Sequence, residues 1–87
     1  MLASKLLNAI ARILDSAALV GPEAHLEKLV DALQTVQSEL HTELDAIDNA
    51  ADDVELLHAM QRWNSRAAWA ELLVSALSDA LEQPIPT

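Results

Sequence analysis

From Asp52 to Gln83 the chain runs 32 residues without a glycine or a proline. Within that run Leu56, Met60, Trp63, Ala67, Ala70, Val74, Leu77 and Leu81 follow one another at alternating steps of four and three. Such spacing averages close to the period of an α-helix and far from the period of two that a strand shows to a core. A helix of that length with an unbroken apolar stripe needs other helices to cover it.

The rest of the chain supplies them. Leu26, Leu33, Leu40 and Ile47 recur every seven residues, with Leu29, Val30, Val36 and Leu44 between them. Ahead of these, Ala3, Leu6, Ile10, Ile13, Ala17 and Val20 repeat the four-three pattern. Gly21-Pro22 separates the first two segments, as a C′ glycine and a first-turn proline do. The second break starts at Asp48-Asn49, and Asp52 followed by Glu55 has the spacing of a capping box. Pro84 and Pro86 stop the last segment. The expected helices span about 2–20, 22–47 and 52–82, in one domain of residues 1–83 with a short tail at 84–87. Short connections make sequential helices antiparallel. The predicted fold is all-α, an up-down-up three-helix bundle made of a long hairpin of helices two and three plus a shorter helix one.

Composition narrows the function classes. An apolar share of 52% with a single Gly suits a helical core and not a disordered chain. Fourteen acids against five bases give a net charge of -9, the wrong sign for direct contact with nucleic-acid phosphates. Lys5, Asn8, Arg12 and Asp15 interrupt the N-terminal apolar runs, so neither a secretory core nor a spanning helix of about 20 apolar residues is expected. Helix one does carry a local positive charge and a broad apolar face, as a membrane-lying helix or transit peptide does, but the bundle needs that same face. The absence of cysteine is compatible with a reducing compartment, and a cytoplasmic location is expected.

Catalytic signals are lacking. The serines are scattered over helical segments, with no Gly-rich turn to supply oxyanion amides or cradle a phosphate. Glu55 and His58 have the Glu-x-x-His spacing of di-iron bundles, but His41 is preceded three residues earlier by Ser38 instead of Glu. The stretch DNAADDVE lacks the glycine of a calcium loop, and Ala59 stands where its last carboxylate belongs. No catalytic residue, cofactor or metal ligand is assigned, and the chain is not expected to be an enzyme.

Two features remain as candidate sites. The first lies in RWNSRAAWAELL, residues 62–73, which holds both tryptophans of a chain with no Phe or Tyr. At about 100° per residue, Trp63 falls in the core stripe while Trp69, Leu72, Leu73 and Ala76 form a second stripe roughly 140° away. The combined apolar surface spans about 220°, well beyond the 100° or so that a surface helix needs. Either helix one covers the excess, with Arg62 and Arg66 laying their stems over the Trp69 ring, or another chain does. The second alternative predicts a helix-docking face of Trp69, Leu72, Leu73, Ala76, Arg62 and Arg66, joined by Leu7 and Leu14 of helix one. The expected occupant is a protein, with a homodimer the commonest form.

The second feature is charge. No Lys or Arg occurs between Leu29 and Gln61, whereas Glu39, Glu43, Asp45, Asp48, Asp52, Asp53 and Glu55 crowd around the second break. Because helix one is the shortest, the hairpin end bearing these acids should project past it. That tip is either a solvated end or a mimic of nucleic-acid phosphate that engages a basic protein surface.

Overall fold

The computed structural model describes residues 2–20 and 24–82, with side chains over 4–20 and 26–82. It contains three helices, α1 (Leu2–Val20), α2 (Ala24–Asp48) and α3 (Asp53–Glu82), each packed against the other two. The expected Gly21-Pro22 junction and the 84–87 tail lie outside the described residues. Both ends of the second connection fall within one residue of the sequence-based expectation.

The α2–α3 turn is closed by its own side chains. Asn49 donates to the Asp45 carbonyl twice, from the backbone N at 2.9 Å and from Nδ2 at 2.8 Å, which ends α2. Ala50 N then donates to the Ile47 carbonyl. The α3 N-terminus is capped as expected, with Asp52 Oδ1 accepting from Glu55 N at 2.8 Å. Glu55 reaches back, but its Oε2 accepts from Ala51 N at 3.0 Å, one residue before the cap. The loop amides of residues 49–51 are therefore all bonded, and no glycine is needed to make the turn.

The core is a single column of Ile10 and Ala17 from α1, Leu26, Leu33, Val36 and Leu40 from α2, and Ala70, Leu73 and Leu77 from α3. Leu6, Leu7, Ile13, Leu14, Leu29, Val30, Trp63, Ala67, Val74 and Leu81 are partly buried around it. Three of the four heptad residues of α2 behave as their spacing predicts, Leu26, Leu33 and Leu40 being buried, whereas Ile47 at the hairpin end is only half-buried and stands outside the core column. Helix α3 departs from expectation. Its buried residues are Ala59, Ala70, Leu73 and Leu77, and Met60 is 46% exposed. Val20, the last apolar residue of the α1 pattern, is also largely in solvent.

The reason for the α3 shift is that its neighbours approach from different sides. Lys5 and Leu6 of α1 line a groove together with Trp63, Asn64, Ala67 and Glu71. Arg62 and Arg66, on the other side of the core stripe, meet α2 at Glu43 and Glu39. Leu73 shares the α2 side and is drawn into the core. Met60 points to the α1 side, but α1 begins at Leu2 and meets α3 near Trp63, so the helix runs out before Met60. The α2–α3 hairpin thus projects past α1, as the helix lengths predicted.

Candidate functional site

Helix α3 carries two seams. Counted in alternating steps, the outward one reads His58, Arg62, Ser65, Trp69, Leu72, Ala76 and Asp79, and all seven residues are exposed. Its middle is apolar, with Trp69 53% and Leu72 64% exposed and Ala76 one turn beyond. Around a helix at about 100° per residue, Trp69 lies roughly half a turn from the Trp63, Asn64, Ala67 and Glu71 side that α1 occupies. Helix α1 therefore does not cover the indole, and of the two arrangements left open by the sequence, the one that encloses Trp69 within its own chain is not adopted.

Not all of the expected face is available. Leu73 is only 5% exposed and belongs to the core, which removes it from any docking surface. Its position explains the error: at about 90° from the centre of the core stripe it sits on the border between the two seams, and the approach of α2 decides it. Leu7 and Leu14 are partly buried and pack against the core, so they do not extend the Trp69 stripe. Trp63, by contrast, packs against the core as its spacing predicted.

Arg62 and Arg66 serve α2. Arg62 Nε donates to Glu43 Oε2 at 2.5 Å, and the Glu43 side chain is nearly enclosed. Arg66 Nε lies 2.9 Å from Glu39 Oε2, but its N–H is not aimed at that oxygen, so charge holds the pair without a formed hydrogen bond. The two arginines one turn apart thus meet two glutamates one turn apart across an antiparallel pair of helices. Sequence inspection placed both arginines beside the indole and missed the pairing. The matching four-residue spacing of Glu39 and Glu43 was the signal that could have found it.

The acidic tip changes character accordingly. Glu39 and Glu43 are neutralised by Arg66 and Arg62. Asp52 and Glu55 cap α3, where carboxylates also complement the helix dipole. Asp45, Asp48 and Asp53 are exposed, and among the described side-chain contacts none engages their carboxylates. Val54, Leu57 and Met60, exposed on the same projecting end, make the tip partly apolar. No group of three or more His, Asp or Glu able to hold a metal ion occurs among the described residues. His58 lines shallow depressions with Gln61, Arg62, Ser65 and Arg66 and with Ala46, Asn49 and Glu55. His25 lies outside the described side chains.

Within the described residues no helix is long and apolar enough to cross a membrane. Comparison with family models, with curated proteins and with solved structures found no match for the chain.

Proposed function

We propose that this chain is a small acidic helical protein–protein interaction module, an adaptor, chaperone-like or regulatory protein, that works by packing a helix against the outward seam of α3. The observation that carries the reading is the exposure of Trp69 and Leu72 on a face away from α1. A half-exposed indole next to an exposed leucine is a costly arrangement in water, since burying apolar area is worth about 25 cal/mol per Å². Trp is also a side chain that dominates binding energies at protein contacts. The seam residues that remain for this role are Trp69, Leu72 and Ala76, bordered by Arg62 and Arg66.

The alternative, an acidic inhibitor acting through the 39–55 tip, is less well supported, because four of its seven carboxylates already serve the fold. The two readings separate by salt and by substitution. Association through the α3 seam is lost in Trp69→Asp and persists in concentrated NaCl. Association through the tip weakens steeply with salt and in the Asp45→Asn, Asp48→Asn, Asp53→Asn triple variant, and leaves Trp69→Asp unaffected. The second pattern would overturn the seam reading.

A further inference from the structure

The outward seam of α3 is patterned along its length as well as around its circumference. Its centre is apolar, with Arg62 toward the N-terminal end and Asp79 toward the C-terminal end, both exposed. Such a sequence has a symmetry of its own. When a second copy is laid antiparallel so that paired residue numbers sum to 141, the six seam positions from Arg62 to Asp79 meet one another: Arg62 faces Asp79, Ser65 faces Ala76 and Trp69 faces Leu72. Antiparallel coiled coils pair alternate seam positions, a with d, in the same way. No other occupant has to be postulated to match both the charge and the spacing.

We infer that α3 docks on α3 of a second copy of this chain, antiparallel about a two-fold axis. The indole of Trp69 packs on the partner's Leu72, and Arg62 faces the partner's Asp79. This rests on the seam being a docking face, and adds the identity and direction of what covers it. The interface is isologous, as a two-fold requires.

Charge distinguishes the two directions. A parallel pair sets Arg62 against the partner's Arg62 and Asp79 against the partner's Asp79, and it brings two acidic tips side by side. The antiparallel pair instead matches opposite charges. It also carries the two α3 N-termini about 50 Å apart at 1.5 Å per residue, several times the screening length of about 8 Å at physiological salt. A chain with net charge -9 can therefore self-associate without confronting its acidic ends. Arg62 serves both contacts, because Glu43 takes its Nε while the terminal guanidinium nitrogens remain for the partner.

The chain has no cysteine, so single thiols report the register cleanly. Ser65→Cys and Ala76→Cys are both at exposed positions. Mixed and oxidised, the two variants should form a disulfide-linked heterodimer. Each alone should not, because like positions are about 16 Å apart in this register, beyond disulfide reach. Light scattering across concentration should show a monomer–dimer equilibrium whose dissociation constant rises at least about 100-fold in Trp69→Asp and about tenfold in Asp79→Lys, with helicity unchanged by circular dichroism. Cross-linking of each single variant with itself would establish a parallel dimer, overturning the inference while keeping the docking face. A monomer at all concentrations that forms a Trp69-dependent complex with a different protein would do the same. A monomer with no Trp69-dependent complex would overturn both.

Discussion

Arg62 and Glu43 meet across the α2–α3 hairpin with Nε 2.5 Å from Oε2, and the two ends of the contact lie in unlike surroundings. The Glu43 side chain is 8% exposed and the Arg62 side chain 48%. The cost of breaking the contact therefore falls on the carboxylate, which loses its counter-charge in a site that water barely reaches. Arg66 and Glu39, 36% and 42% exposed as side chains, keep part of their charged groups in water whether or not they touch, although the Arg66 Nε atom itself is buried.

This asymmetry predicts that Arg62→Ala lowers the unfolding free energy by about 1–3 kcal/mol, whereas Arg66→Ala costs no more than about 1 kcal/mol. Replacing both partners, as Arg62→Leu with Glu43→Leu, should recover most of the first loss because no buried charge is left behind. Urea denaturation of the three variants measures all of this. Equal losses for the two arginines would contradict the burial argument.

The turn at 49–52 rests on side-chain caps. Removing the cap in Asp52→Ala should destabilise by about 0.5–2 kcal/mol, and Asp52→Asn should keep most of the stability, since an amide oxygen also accepts from Glu55 N. Glu55→Ala should cost less than Asp52→Ala, because the amide it satisfies, on Ala51, is exposed to water. Thermal melts of the three variants give the ranking directly.

The two seams of α3 predict opposite responses to the same change. Leu77 is fully buried, and Leu77→Ala should cost about 2–5 kcal/mol. Leu72→Ala, measured dilute enough to keep the chain monomeric, should stay within about 0.5 kcal/mol of wild type. The register is tested by enlarging neighbours: Ala59→Leu should cost about 1–3 kcal/mol by overpacking, while Met60→Leu should be close to neutral. A reversal of that pair would return the core to the spacing read from the sequence.

Element identity and order were legible because heptad spacing, one Gly-Pro pair and one capping box all point the same way. The heptad of α2 was legible at Leu26, Leu33 and Leu40, since α2 keeps its apolar side chains on one narrow stripe, and it fails only at Ile47, beyond the end of the core column. In α3 the spacing was blurred by having two neighbours. With core residues on both the α2 side, Ala59 and Leu73, and the α1 side, Ala67 and Val74, a single four-three count cannot follow both. It picked Met60 over Ala59 because Met60 lies four residues after Leu56 and three before Trp63, and the length of α1 decides otherwise. The excess apolar width of α3 was readable, and so was the separation of Trp69 from Trp63. The ion pairs from Arg62 and Arg66 left a signal in the four-residue spacing of Glu39 and Glu43, but their direction depends on which side α2 takes.

The two tryptophans offer a direct reading of the outward seam, since each can be isolated by replacing the other with Phe. Trp63 is half-buried against the core, so in Trp69→Phe the remaining emission should be blue-shifted and weakly quenched by acrylamide at every protein concentration. Trp69 is 53% exposed in the single chain, so in Trp63→Phe it should emit at long wavelength and quench readily when dilute. If the seam docks on a second copy, that emission moves to the blue and its quenching falls as concentration rises, with the midpoint at the dissociation constant found by light scattering. Asp79→Lys should shift the midpoint to higher concentration without changing the dilute spectrum, because Asp79 lies more than two turns from the indole on its own helix and acts on the dimer by facing the partner's Arg62. An emission from Trp69 that is blue and protected even in dilute solution would mean that its own chain encloses it, and the seam would then have nothing to offer a second helix.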